Sequence, residues 1–504
     1  MNPSEPIRLV RMARMMLSCR GRQRPSVITI VVAALLLATA LAPAWSSPSS
    51  GTDLNGAVKK LLHDPCFHKS QIGVRGVGLT SGQTLLDVHG EARLIPASTT
   101  KLVTSAAALL RLSPQYRFRS AFLTTAPAVN GVIQGDVFLK GYGDPSLVLE
   151  EAWLMARGLR KQGVHAVVGD LVGDESFFDA EQRGPAWADA QSQRAFNARI
   201  GALSVNFNSV GLVARPGLQP GEPVTVEVEP SSADVAWRNS ATTAGQGQGQ
   251  TLSVTRLEGA AGDTLMIDGT LAAGGPPQTV YRNISRPGLH ATMVMWELLE
   301  REGVHIGGRP RLGLTPPTAR EVYVHQSRPL YRIIDDLHKF SNNFIAEQVL
   351  KTLGAEVYGP PGTWSKGLAV VADVLEEFGI KRGSYSLADG SGLSRLNRLS
   401  PVLLVTVLRQ MANDFRVQPE YMASLRTPDA KGSVGLRFRG ADFGARARVK
   451  TGALDDVSAL AGYVGRSDGE LVAFAVLMNG PFCSMERAWQ LQEAIVEQLI
   501  HAAR

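Results

Sequence analysis

The sequence predicts a protein of α/β class, in the looser α+β arrangement, in which one helix-and-strand domain is interrupted by a large β-rich insertion. Three observations carry that reading. The chain has 504 residues, 44% of them hydrophobic and 19% charged, which is too long for one ordinary domain and apolar enough for sizeable cores. Helical and strand periodicities alternate near both ends. Between them, from 117 to 309, the texture changes to short alternating runs broken by Gly, Pro and Asp turns.

The elements follow in order. A short helix spans 54–63. Alternating runs at 74–79 and 84–88, joined through Ser81 and Gly82, read as a hairpin. A helix covers 98–112, with Leu102, Ala106, Leu109 and Leu110 forming its apolar face at i, i+4, i+7 and i+8. The interrupting tract holds strands such as 224–228 and 264–267, a Gly/Gln tract at 244–250 that reads as an exposed loop, and one helix at 290–301. Helices return at 330–338, 343–353, 363–378 and 401–412. A strand through Lys450, strands at 457–464 and 471–478 around the turn Ser467-Asp468-Gly469, and a helix at 485–502 end the chain. The expected map is a divided domain of residues 52–116 and 310–504, with 117–309 as two nested inserted domains.

The formal charge of +7 suggests nucleic acid, but its distribution argues otherwise. Residues 1–44 hold six arginines and one acid, leaving the remainder at +2, without an electrostatic footprint for DNA or RNA. The arginines precede an apolar run at 27–44 that ends in Ala42-Pro43-Ala44, and Ser/Pro-rich sequence follows. The pattern reads as a secretory signal peptide over 1–44, hence a periplasmic protein; the other reading is a retained anchor, the chain's one contact with a membrane. Export leaves Cys66 and Cys483, which fit either one disulfide or two free thiols.

Three short motifs bear chemistry. In Ser98-Thr99-Thr100-Lys101, serine and lysine lie one helical turn apart, so a neutral amine could take the hydroxyl proton. A serine at a helix N-terminus also meets free N–H groups suited to an oxyanion. Ser341-Asn342-Asn343 sits between two helices and offers a hydroxyl and an amide. Lys450-Thr451-Gly452 lies on a strand, offering a cation and a hydroxyl for a carboxylate, and a glycine where substrate backbone must approach. Each alone has a bland alternative in helix capping or surface charge. Their order and settings together are specific.

Together they resemble the serine penicillin-recognising enzymes. The 243 residues between Ser98 and Ser341 are similar to the class C low-molecular-mass penicillin-binding proteins, the D-alanyl-D-alanine carboxypeptidase/endopeptidase family, which inserts extra domains there. Gly141-Tyr142-Gly143-Asp144-Pro145, Leu203-Ser204-Val205-Asn206 and the stretch from Asp389 to Arg395 are also similar to it. The resemblance implies a β-lactamase/DD-peptidase-like domain, an antiparallel sheet flanked by helices. It implies Ser98 as acylated nucleophile, Lys101 as base, Ser341 as proton shuttle and Asn343 as orienter of Lys101 and substrate. Lys450 and Thr451 would hold the terminal carboxylate, and the N–H groups of Ser98 and Ala453 the oxyanion. Ala453 departs from the family's usual serine or threonine, and Asp455 adds a carboxylate near the pocket. Arg395 falls where relatives contact the acidic end of a stem-peptide side chain; a solvated surface arginine is the alternative.

Other patterns are set aside. Lys351-Thr352 lacks the glycine and reads as exposed helix surface. Asp170, Asp174, Glu175 and Asp179 match no metal loop, and the nine histidines show no zinc spacing, so no metal or cofactor is expected. The expected function is a serine-type D-Ala-D-Ala carboxypeptidase, with DD-endopeptidase action as a further option. It would act on peptidoglycan stem peptides and be trapped by β-lactams. The alternatives are a β-lactamase or esterase on the same scaffold, or a non-catalytic wall-binding protein.

Overall fold

The computed structural model describes residues 53–187, 192–428 and 446–501. The leader at 1–44 lies outside them. A five-stranded antiparallel sheet organises the divided domain, in the order Thr84–Val88, Gln71–Gly78, Leu471–Asn479, Val457–Gly465, Ala447–Leu454. The N-terminal hairpin thus pairs directly with the last strand, Gln71 opposite Asn479.

Both sheet faces are covered, which explains why the two central strands read as nearly unbroken apolar runs. Alternate residues serve different cores. Leu460, Val464, Phe474, Val476 and Met478 pack against helices Leu54–Leu62 and Met485–His501. Ala459, Ala461, Ala473 and Ala475 face the opposite helical layer; their small side chains let it approach closely. That layer holds Thr100–Leu112, Leu330–Lys339, Asn343–Tyr358, Trp364–Glu377 and Pro401–Asn413. Parity then decides the chemistry: Ala447 and Val449 belong to the first core, so Lys450 projects into the second side.

The helix Asn343–Tyr358 is buried on every side from Phe344 to Ala355. Lys351 is therefore not exposed, as the sequence suggests, but fully buried. Its Nζ donates to Asp179 Oδ1 at 2.5 Å and to the Glu181 carbonyl at 2.7 Å, and lies 4.2 Å from the Trp364 ring centre. Thr352 is buried beside it.

The inserted segment has its own mixed sheet, ordered Pro310–Leu312, Leu171–Asp174, Val137–Gly141, Arg119–Thr124, Arg320–Gln326. The strands at 310–312 and 320–326, which lie beyond the expected boundary at 309, pair with Leu171–Asp174 and Arg119–Thr124 in this sheet. Helices Leu149–Lys161 and Pro287–Arg301 cover this sheet. The first is missed in the sequence because Glu, Arg and Gly158 dilute its apolar face, although Ala152, Met155, Ala156 and Leu159 fall at helical spacing. The sequence between the two helices forms a separate core, built on Thr225–Glu229, Ser209–Arg215 and Gln278–Asn283 and on Val235–Asn239, Asp263–Asp268 and Ser253–Glu258. Of the acids set aside above, Asp170 pairs with Arg311, Asp174 with Lys140 and Asp179 with Lys351. Cys66 and Cys483 form a disulfide, Cα–Cα 5.1 Å, across 417 residues.

Candidate active site

Ser98 sits in a single 3-10 turn, Ala97–Thr99, that feeds the helix Thr100–Leu112. Two threonine hydroxyls tie the turn down, Thr99 to the Pro96 carbonyl at 2.7 Å and Thr100 to the Ala97 carbonyl at 2.9 Å. Ala97 is held at φ +47°, an unfavourable left-handed conformation immediately before the serine. Gly392, itself at φ +84°, packs so tightly here that a β-carbon would lie 1.8 Å from the Ala97 carbonyl oxygen. On the other side the edge strand Ala447–Leu454 runs past, and a β-carbon on Gly452 would lie 2.9 Å from both the Pro96 oxygen and the Ser98 nitrogen. The glycine of the third motif is thus needed for the strand to reach the serine.

Lys101 is wholly buried one turn after Ser98. Its Nζ is 2.8 Å from Ser98 Oγ, 2.8 Å from Asn343 Oδ1 and 2.6 Å from the Ser391 carbonyl. The last two groups can only accept. A neutral amine donating to both leaves its lone pair for the Ser98 hydroxyl. Burial lowers the Lys101 pKa to about 7, against the upward pull of the Asp389 and Glu347 carboxylates. His338 lies behind Lys101, 3.0 Å from Ser105 Oγ and 2.7 Å from Ser424 Oγ. Burial first, then the two lysine charges, hold it down at about 3, so it stays neutral.

Lys450 is also buried, its Nζ donating to Ser341 Oγ and to the Thr451 carbonyl, both at 2.8 Å. Desolvation, then the charges of Lys101 and Arg426, push its pKa well below the usual lysine value. Ser341 occupies the left-handed region at φ +54°, in the bend between two helices; Asn342 caps the second through Ile345 N at 3.1 Å. Ser98, Lys101, Ser341, Asn343 and Lys450 therefore converge. Thr451, Gly452 and Ala453 continue along the adjoining strand edge, with Ala453 exposed. Arg395 is half-buried and donates to the backbone carbonyl of Asp455, which joins the two loops flanking the strand end.

Other residues of the site are not evident from motif spacing. Glu347, one helical turn after Asn343, accepts from Gly390 N at 3.0 Å, Ser391 N at 2.7 Å and Trp364 Nε1 at 2.8 Å. Asp389 accepts from Gly392 N, Ser394 N, Asn397 Nδ2 and Trp187 Nε1, at 2.6–3.1 Å. These two buried carboxylates form the cradle that aims the Ser391 carbonyl at Lys101. Burial and the Asp389 charge raise the Glu347 pKa to about 7. The inserted segment supplies Trp187, and also the Phe196 carbonyl, which accepts from Asn343 Nδ2 at 3.0 Å. The i, i+4 relation of Asn343 and Glu347 on an otherwise apolar helix is the one local signal that points to the cradle. Among the described residues no group of histidine, cysteine and carboxylate side chains could hold a metal ion.

Residues 54–501 match the D-Ala-D-Ala carboxypeptidase 3 (S13) family. The chain is 33% identical over 475 residues to the D-alanyl-D-alanine carboxypeptidase of Actinomadura sp. (strain R39), covering 91% of this chain and 87% of the relative. It is 27% identical over 415 residues to D-alanyl-D-alanine carboxypeptidase DacB of Haemophilus influenzae, covering 82% and 86%. The crystal structure of penicillin binding protein 4 (dacB) from Haemophilus influenzae superposes with a TM-score of 0.77 at 26% identity, covering 88% of this chain and 99% of that one. With the serine and amine in contact and the family match running almost from end to end, the chain belongs to the S13 family and is a serine-type D-Ala-D-Ala carboxypeptidase.

Proposed function

We propose that the enzyme acts on peptidoglycan stem peptides with the following division of labour. Ser98 Oγ attacks the carbonyl carbon of the penultimate D-alanine while Lys101 Nζ takes its proton. The N–H groups of Ser98 and Ala453 receive the developing oxyanion. The C–N bond breaks, and the leaving D-alanine amine takes a proton relayed through Ser341. Water, activated by Lys101, then hydrolyses the acyl-serine. Lys450 and Thr451 hold the terminal carboxylate, and Asn343 orients Lys101 and the substrate amide. Arg395 lies where it can meet the stem peptide's side chain. D-Ala–meso-diaminopimelate cross-links present the same bond to the same groups, so endopeptidase action belongs to the reading. β-Lactams acylate Ser98.

One observation carries the reading: an unsolvated amine touches the serine while two pure acceptors fix its hydrogens. Export through a leader at 1–44 is part of the proposal, supported by the disulfide, which suits an oxidising compartment. So is the division of the inserted segment into two nested domains, supported by its two separate cores.

A fluorescent penicillin should label the protein covalently, and Ser98→Ala should abolish labelling. Labelling that persists in the variant refutes the nucleophile. Free D-alanine released from a pentapeptide, set against turnover of the penicillin, separates a peptidase from a lactamase: the expected result is D-alanine release with slow penicillin loss.

A further inference from the structure

The Leu203-Ser204-Val205-Asn206 stretch has no part in the chemistry above, yet it leads into a run of three consecutive non-glycine residues with positive φ, the only such run among the described residues. Asn206, Phe207 and Asn208 all lie in the left-handed region, at φ +47°, +57° and +51°. Three consecutive non-glycine residues there persist only when their surroundings hold them. Here Asn206 N donates to the Leu147 carbonyl, Asn206 Oδ1 caps Leu149 N at 2.7 Å, and Asn208 Nδ2 bonds the Arg199 carbonyl and Ser204 Oγ.

What the strained turn builds is one wall of a groove of about 760 Å³. The groove begins at Ser341 and Asn343 and runs out along the inserted sheet, past Gly211 and Tyr281. Three aromatic rings on it are solvent-exposed, Phe196 at 44%, Tyr281 at 59% and Phe340 at 75%. Tyr281 lies beside Gly211 on the neighbouring strand, so close that a β-carbon on the glycine would come within 3.1 Å of the ring. Among the described residues the walls carry two exposed carboxylates, Glu150 and Glu229, and no cationic side chain.

That charge pattern selects the occupant. Stem peptides carry several carboxylates and would be repelled. N-acetylated amino sugars are uncharged, present a C–H face to an aromatic ring, and donate hydroxyl and amide hydrogens to carboxylates. We infer that this groove binds the neutral glycan strand of peptidoglycan and thereby docks the polymer beside the catalytic serine. The inference rests on the peptidoglycan reading above. It gives the inserted segment a binding task and makes a sugar-bearing peptide a better substrate than the bare one.

Two measurements test it on the whole chain. Titration with chitotetraose, read by calorimetry, needs no turnover: wild type should bind, and Tyr281→Ala should lose that binding. Release of D-alanine from a disaccharide-pentapeptide should show a kcat/KM about five- to tenfold above that of the free pentapeptide, mostly through KM. Tyr281→Ala should erase this gain and leave free-pentapeptide hydrolysis and penicillin acylation unchanged. Absence of chitotetraose binding, or a gain that survives Tyr281→Ala, overturns the inference. So does a gain seen only with a sugar-free cross-linked peptide dimer, which would instead place a peptide amine against Glu150 and Glu229. If the catalytic reading alone is wrong, D-alanine release fails while chitotetraose binding stays sensitive to Tyr281.

Discussion

Lys101 serves as base only when neutral. With its pKa lowered to about 7 by burial, penicillin acylation should rise about tenfold per pH unit below that point and level off above it. Lys450 must keep its proton to hold a carboxylate, so a second, falling limb should appear below the ordinary lysine range. Glu347→Gln separates the two effects of the cradle. Gln puts an N–H₂ in place of one of the two oxygens that share three donors, so at least one of those donors loses its acceptor, the Ser391 carbonyl shifts off Lys101 and acylation slows by about ten- to a hundredfold. Loss of the carboxylate charge removes an upward pull on Lys101, so the acidic limb moves to lower pH. A pH profile of the acylation rate reads both, and an unmoved limb would show that Glu347 is neutral at the working pH. The side chains that converge at Ser98 were legible in the sequence because each sits in a short motif. The cradle was not, since its donors are backbone N–H groups of a distant loop, and no residue pattern encodes those.

The longer helices and the strands around the five-stranded sheet were legible to within about five residues, since an apolar face or a continuous apolar run marks them, but the short helix Gln418–Ser424 was not predicted. The central helix is the exception that misleads. With no solvent side from Phe344 to Ala355, its polar residues there are interior, and the rule that lysine means surface fails at Lys351. Lys351→Met should cost about 3 kcal/mol in a denaturant titration, because it leaves Asp179 and the Glu181 carbonyl without their donor. The cost should fall largely on the seam between this helix and the inserted segment. A variant as stable as wild type would show that water replaces the ammonium there. The helix at 149–161 was lost for the opposite reason, a diluted period inside a strand-rich neighbourhood.

At the scale of the whole molecule, the disulfide ties the first helix region to the loop before the last helix. Cys483 is exposed and open to reductant. Reduction, or Cys66→Ser, should lower the thermal midpoint by about 2–5 °C, measured by calorimetry with and without reductant; the covered sheet supplies the rest of the closure. The change of texture near 117 was visible in the sequence, but the pairing of the strands at 310–312 and 320–326 back onto Leu171–Asp174 and Arg119–Thr124 was not, because those partners are about 140 to 200 residues away and no local pattern encodes them. Strand order has a temporal consequence. The hairpin that follows the first helix finds its neighbour only in Leu471–Asn479, and Lys450, the proposed carboxylate clamp, arrives on a strand made shortly before it. A growing polypeptide therefore carries its nucleophile for most of its synthesis without a pocket to use it. On the proposed mechanism, the capacity to cut, and with it vulnerability to a β-lactam, arrives only once Ala447–Leu454 and Leu471–Asn479 have emerged.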